Sequence, residues 1–244
     1  MFETRINSIK ESLAEHEIDA LLITSTYNIA YLSGIHAFSV EEREARIIVT
    51  KNNAYLFTDA RYTEMVEKHV PFIILCEINA KNTFSKQTEE IFKKESIKHL
   101  GFEEESITYK EVSDLEEKLK SIEFIPTVEI IEKVRVSKDK EEVERTKREC
   151  GLTDKAFVYI QTLLKPGVTE TEIKANLENF IRLNGGDLAF SSIVAFGANS
   201  SIPHHMSTAS AKLRSTDIIL LDFGAKVNGY CSDMTRTIFI GKPS

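Results

Sequence analysis

The chain has 244 residues, 28% of them charged and 42% hydrophobic, and its formal net charge is −7. This composition is typical of a folded protein and allows one large domain or two ordinary ones. No run of Lys or Arg exceeds two residues. We therefore expect neither a nucleic-acid partner nor an anionic membrane partner.

The N-terminus and the cysteines predict a cytoplasmic protein. The first residues lack the basic start and apolar core of a signal peptide, and no apolar stretch approaches the ~20 residues of a membrane helix. Cys76, Cys150 and Cys231 form no closely spaced pair. They suit small buried side chains in a reducing compartment better than a disulfide framework.

The first half of the sequence alternates between helical and strand patterns. A helix carrying Ile6, Ile9 and Leu13 precedes the apolar run 19–24, which suits a buried strand. Further strand-like and helical segments alternate after it, at 46–50, 54–58, 72–75, 88–94 and 109–119. We predict one mixed-sheet α/β domain over residues 1–127.

Longer elements follow in the second half. We predict a helix from Ser137, its N-cap, to about Leu164, with a buried stripe that consists of Val143, Cys150, Phe157, Ile160 and Leu164. Thr169 and Glu172 form a capping box that begins a second helix. Short β-like segments follow Gly185-Gly186, so residues 128–244 are predicted to form a separate α+β domain.

A hairpin with two aspartates lies near the end of the chain. Asn228-Gly229 favours a type I′ turn, because that turn needs positive φ at both central residues. With a two-residue loop, Asp222 faces Thr235, and the alternation of side chains places Asp222 and Asp233 on one face of the sheet. Two carboxylates that are diagonal neighbours, roughly 7 Å apart, could hold divalent cations between them.

The spacing alone leaves a structural alternative open. Asp222 could end the apolar strand 218–221 without binding a ligand, and Asp233 could be a solvated turn residue. An aspartate in so apolar a strand is costly to bury unless it is paired or hydrogen-bonded, which favours the metal interpretation without deciding it.

Several segments resemble one known family. Leu221–Gly224 and Gly229–Thr237 are similar to the sequence around the first two metal-ligand aspartates of aminopeptidase P and proline dipeptidase. Gly197–His204 resembles the family segment in which a histidine follows a proline. Other segments resemble the creatinase-type N-terminal domain and the first helix of the pita-bread catalytic domain, at 28–34, 57–62 and 138–148.

The resemblance implies a fold and a set of site residues. It implies a creatinase-like α/β N-terminal domain followed by an α+β pita-bread metallopeptidase domain. By resemblance, Asp222 and Asp233 are metal ligands, and His204 contacts the substrate and its tetrahedral intermediate. The family holds two divalent ions, manganese being the expected metal, and the resemblance implies a homodimer.

The sequence departs from the family pattern in two places. His205 follows His204 where relatives usually have a small residue, which leaves open which imidazole faces the substrate. The family's metal pair is completed by a histidine and two glutamates after the aspartate hairpin. Only eleven residues follow Asp233, and none is His or Glu. From this we expect an incomplete catalytic domain and an inactive 244-residue chain.

Two classes of function fit these observations. The first is a metal-dependent peptidase that hydrolyses the Xaa-Pro bond at the N-terminus of peptides with proline at the second position, or in Xaa-Pro dipeptides. The alternative is a non-catalytic pita-bread-fold module for binding or dimerisation. The metal-free creatine amidinohydrolase branch is disfavoured, because the resemblance gives that branch no aspartate pair such as Asp222 and Asp233.

Overall fold

The computed structural model describes residues 2–40 and 42–240, and it divides into two compact units, Met1–Ser137 and Lys138–Ser244. No helix in these described ranges is long and apolar enough to cross a membrane.

The first unit is a six-stranded mixed sheet with helices between the strands. Its elements are α1 (Phe2–Glu15), β1 (Ala20–Ile23), α2 (Thr26–Ser33), β2 (Ala45–Thr50), β3 (Ala54–Asp59), α3 (Thr63–His69), β4 (Ile74–Ile78), α4 (Phe84–Glu95), β5 (His99–Glu103), α5 (Tyr109–Lys118), β6 (Glu123–Thr127) and α6 (Ile130–Val136). The strand order is β4-β3-β2-β1-β5-β6. Strand β2 runs antiparallel to both of its neighbours, and the other pairs are parallel.

Each face of this sheet has its own apolar core. All four residues of β1 are buried, and alternation sends Leu21 and Ile23 to one face and Ala20 and Leu22 to the other. The first core also contains the apolar stripe of α1, and the second contains apolar residues of α4 and α5. The predicted mixed-sheet α/β domain is therefore confirmed. Strand β4 begins two residues later than the run 72–75 suggests, because a turn joins Ile73 N–H to the Val70 carbonyl.

The first unit extends ten residues beyond the predicted division after residue 127. The added segment contains α6, whose Ile130 and Ile131 are 5% and 1% exposed and belong to the core beside α1. Helix α6 is short, and its sequence alone does not show which unit it packs against.

The second unit combines two helices with two antiparallel three-stranded sheets. Its elements are α7 (Lys140–Gln161), α8 (Glu170–Leu183), β7 (Asp187–Leu188), β8 (Ile193–Phe196), a 3-10 turn (Gly197–Ser201), β9 (Ile218–Phe223), β10 (Ala225–Val227), β11 (Tyr230–Cys231) and β12 (Met234–Phe239). The sheet orders are β11-β10-β7 and β12-β9-β8. Residues of α7, α8 and both sheets share one core, as the α+β prediction requires.

The predicted buried stripe of α7 was wrong in its first half. Val143 is 40% exposed and Cys150 is exposed, whereas Leu152, Ala156 and Ile160 are buried at i, i+4 and i+8. The N-cap is Asp139 rather than Ser137, and its side chain accepts from Glu142 N–H. The helix buries glutamates near its start and middle, so apolar residues alone did not reveal its inner face. Cys231 is also exposed, so only Cys76 of the three cysteines is buried.

The capping box of α8 is confirmed. Thr169 accepts from Glu172 N–H at 3.2 Å, and the Glu172 carboxylate accepts from Thr169 N–H at 2.7 Å. Ile173 and Leu177 are buried against the sheet, as their spacing predicted. These bonds fix where α8 begins, which matters for the residue that immediately follows the N-cap.

Candidate active site

The predicted hairpin turn is present. Asn228 and Gly229 both have positive φ, 49° and 80°, and Val227 pairs with Tyr230 across the turn. Further along, Thr235 pairs with Asp222, as the two-residue loop predicted. Both pairs belong to the same register, but the strand pairing is interrupted between Val227–Tyr230 and Asp222–Thr235.

The interruption lies at Gly224 and at Ser232-Asp233, and it divides the hairpin between the two sheets. A Cβ atom on Gly224 would lie 2.0 Å from the Ser232 carbonyl oxygen, so the backbones approach too closely for any side chain. The buried Ser232 hydroxyl accepts from Ala225 N–H at 3.0 Å and also bonds Thr153 of α7. These contacts fix the backbone immediately before Asp233.

Asp222 projects from β9 away from the core. Its neighbours Leu221 and Phe223 are both fully buried, and Asp222 itself is half-buried on the opposite face. Its Oδ1 accepts from Thr235 Oγ1 at 2.9 Å. No residue in the described ranges donates a hydrogen bond to its Oδ2, which leaves that oxygen available to a cation.

Asp233 is exposed and lies in the interruption just before β12. That it shares a face with Asp222 remains a prediction from the alternation of β12. Carboxylate oxygens are suitable donors for a divalent ion, so the pair fits part of a metal site. Within residues 2–40 and 42–240, however, no group of three or more His, Cys, Asp or Glu side chains is placed to hold a metal ion.

His204 lies on the loop that follows β8, whose Ile193 pairs with Asp222. The histidine is exposed and has a left-handed backbone, with φ of 55°. Its imidazole makes no hydrogen bond to any other residue that the structure describes. Both ring nitrogens are therefore free to meet a ligand.

His205 has the opposite environment. Its side chain is 10% exposed, and its Nε2 lies 2.8 Å from Oε2 of Glu170, whose side chain is fully buried. Glu170 is the first residue of α8, directly after the capping threonine. The sequence analysis missed Glu170, because an acidic residue in the first turn of a helix is ordinarily explained by the helix dipole.

The surroundings of Glu170 favour its charged form. Burial opposes ionisation, but hydrogen bonds from Asn199, His205 and the backbone of Thr208 and Phe196 outweigh it, and the pKa of Glu170 lies below its ordinary value. Hydrogen bonds to these donors stabilise the ionised carboxylate in its buried position. Since an ionised carboxylate only accepts, His205 Nε2 carries the hydrogen in this bond.

Comparison with known proteins places both units in described families. Residues 5–137 match the creatinase/prolidase N-terminal domain, and residues 144–244 match metallopeptidase family M24. The chain is 34% identical to the uncharacterized peptidase YqhT of Bacillus subtilis, over 98% of this chain and 66% of that protein. It is 29% identical to an Xaa-Pro dipeptidase of Pyrococcus horikoshii, over 98% of this chain and 65% of that one.

A solved structure is similar to this chain over both units. The Xaa-Pro dipeptidase from Bacillus anthracis superposes with a TM-score of 0.91 at 31% identity, over 100% of this chain and 66% of that chain. The chain thus spans about 66% of the length of this relative. A creatinase-type N-terminal domain followed by the first part of a pita-bread domain accounts for both matches. The chain belongs to the creatinase/prolidase N-terminal domain family and to metallopeptidase family M24.

Proposed function

We propose that the whole protein is a metal-dependent peptidase that cleaves the Xaa-Pro bond at the N-terminus of peptides or in Xaa-Pro dipeptides. The observation that carries the proposal is the placement of Asp222. Its side chain projects from β9 away from the core, and Thr235 donates a hydrogen bond to one of its oxygens. The other oxygen has no hydrogen-bond donor among the residues that the structure describes. The names of the relatives from Pyrococcus horikoshii and Bacillus anthracis support this choice of substrate.

In this proposal Asp222 and Asp233 hold two divalent ions, with manganese as the expected metal. When bound, such ions polarise a carbonyl oxygen and lower the pKa of a hydrolytic water. His204, whose exposed imidazole has no hydrogen-bond partner among the described residues, donates a hydrogen bond to the carbonyl oxygen as negative charge develops on it. Thr235 keeps the Asp222 carboxylate in one orientation, as hydrogen-bond partners of metal ligands generally do.

The proposal is tested with a protein extended to the length of the relatives. Purified with added manganese, it should hydrolyse an Xaa-Pro dipeptide and leave the matched Xaa-Ala dipeptide intact. A chelator should remove the activity, and manganese should restore it. Equal cleavage of both dipeptides, or cleavage that survives the chelator, would contradict the assignment.

The 244-residue chain alone is a different case. Divalent ions of this class take about six donors each, and two carboxylates do not supply them. We therefore expect residues 1–244 to bind manganese weakly and to show no measurable Xaa-Pro cleavage with manganese, cobalt or zinc. Cleavage at a rate comparable to that of the extended protein would show that the proposed site is wrong.

A second candidate function for residues 1–244 is a binding or dimerisation module. It is favoured because the part of the chain that the structure describes has no three clustered metal-ligating side chains.

We propose that the protein is cytoplasmic and homodimeric. Light scattering of the 244-residue chain and of the extended protein tests the dimer. A dimer of the 244-residue chain without metal would support the dimerisation module. Monomers of both the 244-residue chain and the extended protein would contradict the proposed homodimer.

A further inference from the structure

A single buried carboxylate joins the two ends of the loop that carries His204. Glu170 Oε1 accepts from Phe196 N–H at 2.8 Å and from Asn199 Nδ2 at 2.9 Å, before the histidine. Its Oε2 accepts from His205 Nε2 at 2.8 Å and from Thr208 N–H at 2.9 Å, after it. One oxygen therefore serves each side of the loop.

The anchored loop contains a backbone conformation that needs support. His204 has a φ of 55°, in the left-handed region that residues with a Cβ atom rarely adopt. Its two neighbours on the chain are Pro203, which has no N–H to donate, and His205, which is bonded to Glu170. The bonds to Glu170 flank the strained residue on both sides and restrict the paths that the loop can take.

The two adjacent histidines therefore lie in different environments. His205 is nearly buried and bonded to Glu170, whereas His204 is exposed and makes no hydrogen bond within residues 2–40 and 42–240. We propose that Glu170 and His205 form a positioning pair that fixes the loop so that His204, and not His205, meets the substrate. The inference rests on the proposed peptidase function for the role of His204, but the anchoring itself is a property of the 244-residue chain.

The anchoring is tested by amide hydrogen exchange of the 244-residue chain. The amides of Phe196 and Thr208 should be protected in the wild type. In Glu170→Gln the one remaining acceptor oxygen serves only one side of the loop, so at least one of the two amides should exchange at least about tenfold faster. Glu172→Gln is the matched control. It removes the same charge from the same helical turn, and glutamine still completes the capping box, so protection at both amides should be unchanged.

A double-mutant cycle in a protein extended to the relatives' length tests whether Glu170 acts on catalysis by positioning His204. Glu170→Gln should lower kcat about 100-fold with little change in KM, since a displacement of about 1 Å costs that much. In a His204→Ala background the same change should cost less than about threefold, because the group that it positions is absent. His205→Gln, which keeps a donor for Glu170, should retain more activity than His205→Ala.

The outcomes separate the two proposals. Additive losses of Glu170→Gln and His204→Ala, or unchanged exchange at Phe196 and Thr208 in Glu170→Gln, would overturn the positioning pair even if the wild type cleaves Xaa-Pro peptides. A larger loss in His205→Ala than in His204→Ala would reverse the assignment of the two imidazoles. An extended wild type without Xaa-Pro activity would overturn the proposed function and, with it, the catalytic meaning of the pair, while the exchange result would still decide the anchoring.

Discussion

Asp222 and Thr235 face each other across the β9–β12 ladder, and the Thr235 hydroxyl donates to Asp222 Oδ1 at 2.9 Å. The bond joins a half-buried carboxylate to an exposed threonine on the strand that begins just after Asp233. It orients one oxygen of Asp222 and leaves the other without a donor among the residues described. In the proposed metal site, Oδ2 is the oxygen of Asp222 that would contact a cation.

Thr235→Val tests the importance of this bond. Valine has nearly the same shape and favours a strand, so the fold should be retained while Asp222 loses its partner. We expect manganese affinity of the extended protein to fall about tenfold or more, as when other partners of metal ligands are removed. Calorimetric titration with manganese measures this. Thr237→Val, at an exposed site two residues along the same strand, is the control and should leave affinity unchanged; equal effects of both changes would contradict the role of Thr235.

Gly224→Ala tests the interruption of the hairpin. The added Cβ atom would lie 2.0 Å from the Ser232 carbonyl oxygen, so the backbone before Asp233 must move. We expect a loss of about 1–3 kcal/mol in the free energy of unfolding, measured by urea denaturation. Gly151→Ala is the matched control, because its added Cβ meets nothing within 4 Å apart from its chain neighbours and the backbone of its own helix. In the interior of α7 that change should stabilise by about 0.5–1 kcal/mol. Similar effects of the two substitutions would disprove the close approach.

Glu149→Gln tests an unpaired buried acid on α7. Glu149 is 1% exposed, and its Oε2 has no hydrogen-bond partner among the described residues. Burial raises the pKa of Glu149 above its ordinary value of 4.5, although Arg148 and Arg145 favour the charged form. The variant should therefore be more stable than the wild type at neutral pH, by about 1 kcal/mol.

The pH dependence of this effect has a definite sign. In the unfolded chain Glu149 loses its proton near its ordinary pKa of 4.5, whereas in the native protein it loses the proton at a higher pH. The wild type should therefore lose stability as pH rises from 4.5 through the native pKa, and Glu149→Gln should lack that loss. Denaturation midpoints from pH 4 to 8 measure the difference. The exposed Glu144, whose pKa is lowered by Lys147, is the control, and Glu144→Gln should not stabilise the protein. If the stability of Glu149→Gln fell with rising pH as steeply as that of the wild type, the raised pKa would be contradicted.

Local signals predicted much of the fold and part of the site. The Asn228-Gly229 turn fixed the pairing of Asp222 with Thr235, because a two-residue loop leaves one register. The capping box at Thr169 fixed the start of α8 for a similar reason, since both of its bonds form within four consecutive residues. These features depend on neighbours in the sequence, and the sequence contains that information.

Features that depend on distant partners were not predicted. Glu170 receives its donors from residues 26–38 positions further along the chain, so no local pattern distinguishes it from an ordinary helix-start acid. The inner face of α7 was misassigned for the same reason. Glu142 is buried there because the Tyr230 hydroxyl, 88 positions away, donates to it at 3.0 Å.

In our proposal, Asp222 and Asp233 are metal ligands of a metal-dependent Xaa-Pro peptidase. The most direct measurement is manganese-dependent cleavage of an Xaa-Pro dipeptide by the extended protein and three variants, Asp222→Ala, Asp233→Ala and Asp154→Ala, with manganese binding measured in parallel. Asp154 is an exposed aspartate on α7 and serves as the control. We expect activity and tight manganese binding in the wild type and in Asp154→Ala, and loss of both in the other two variants. Retained cleavage in Asp222→Ala or Asp233→Ala would contradict the claim.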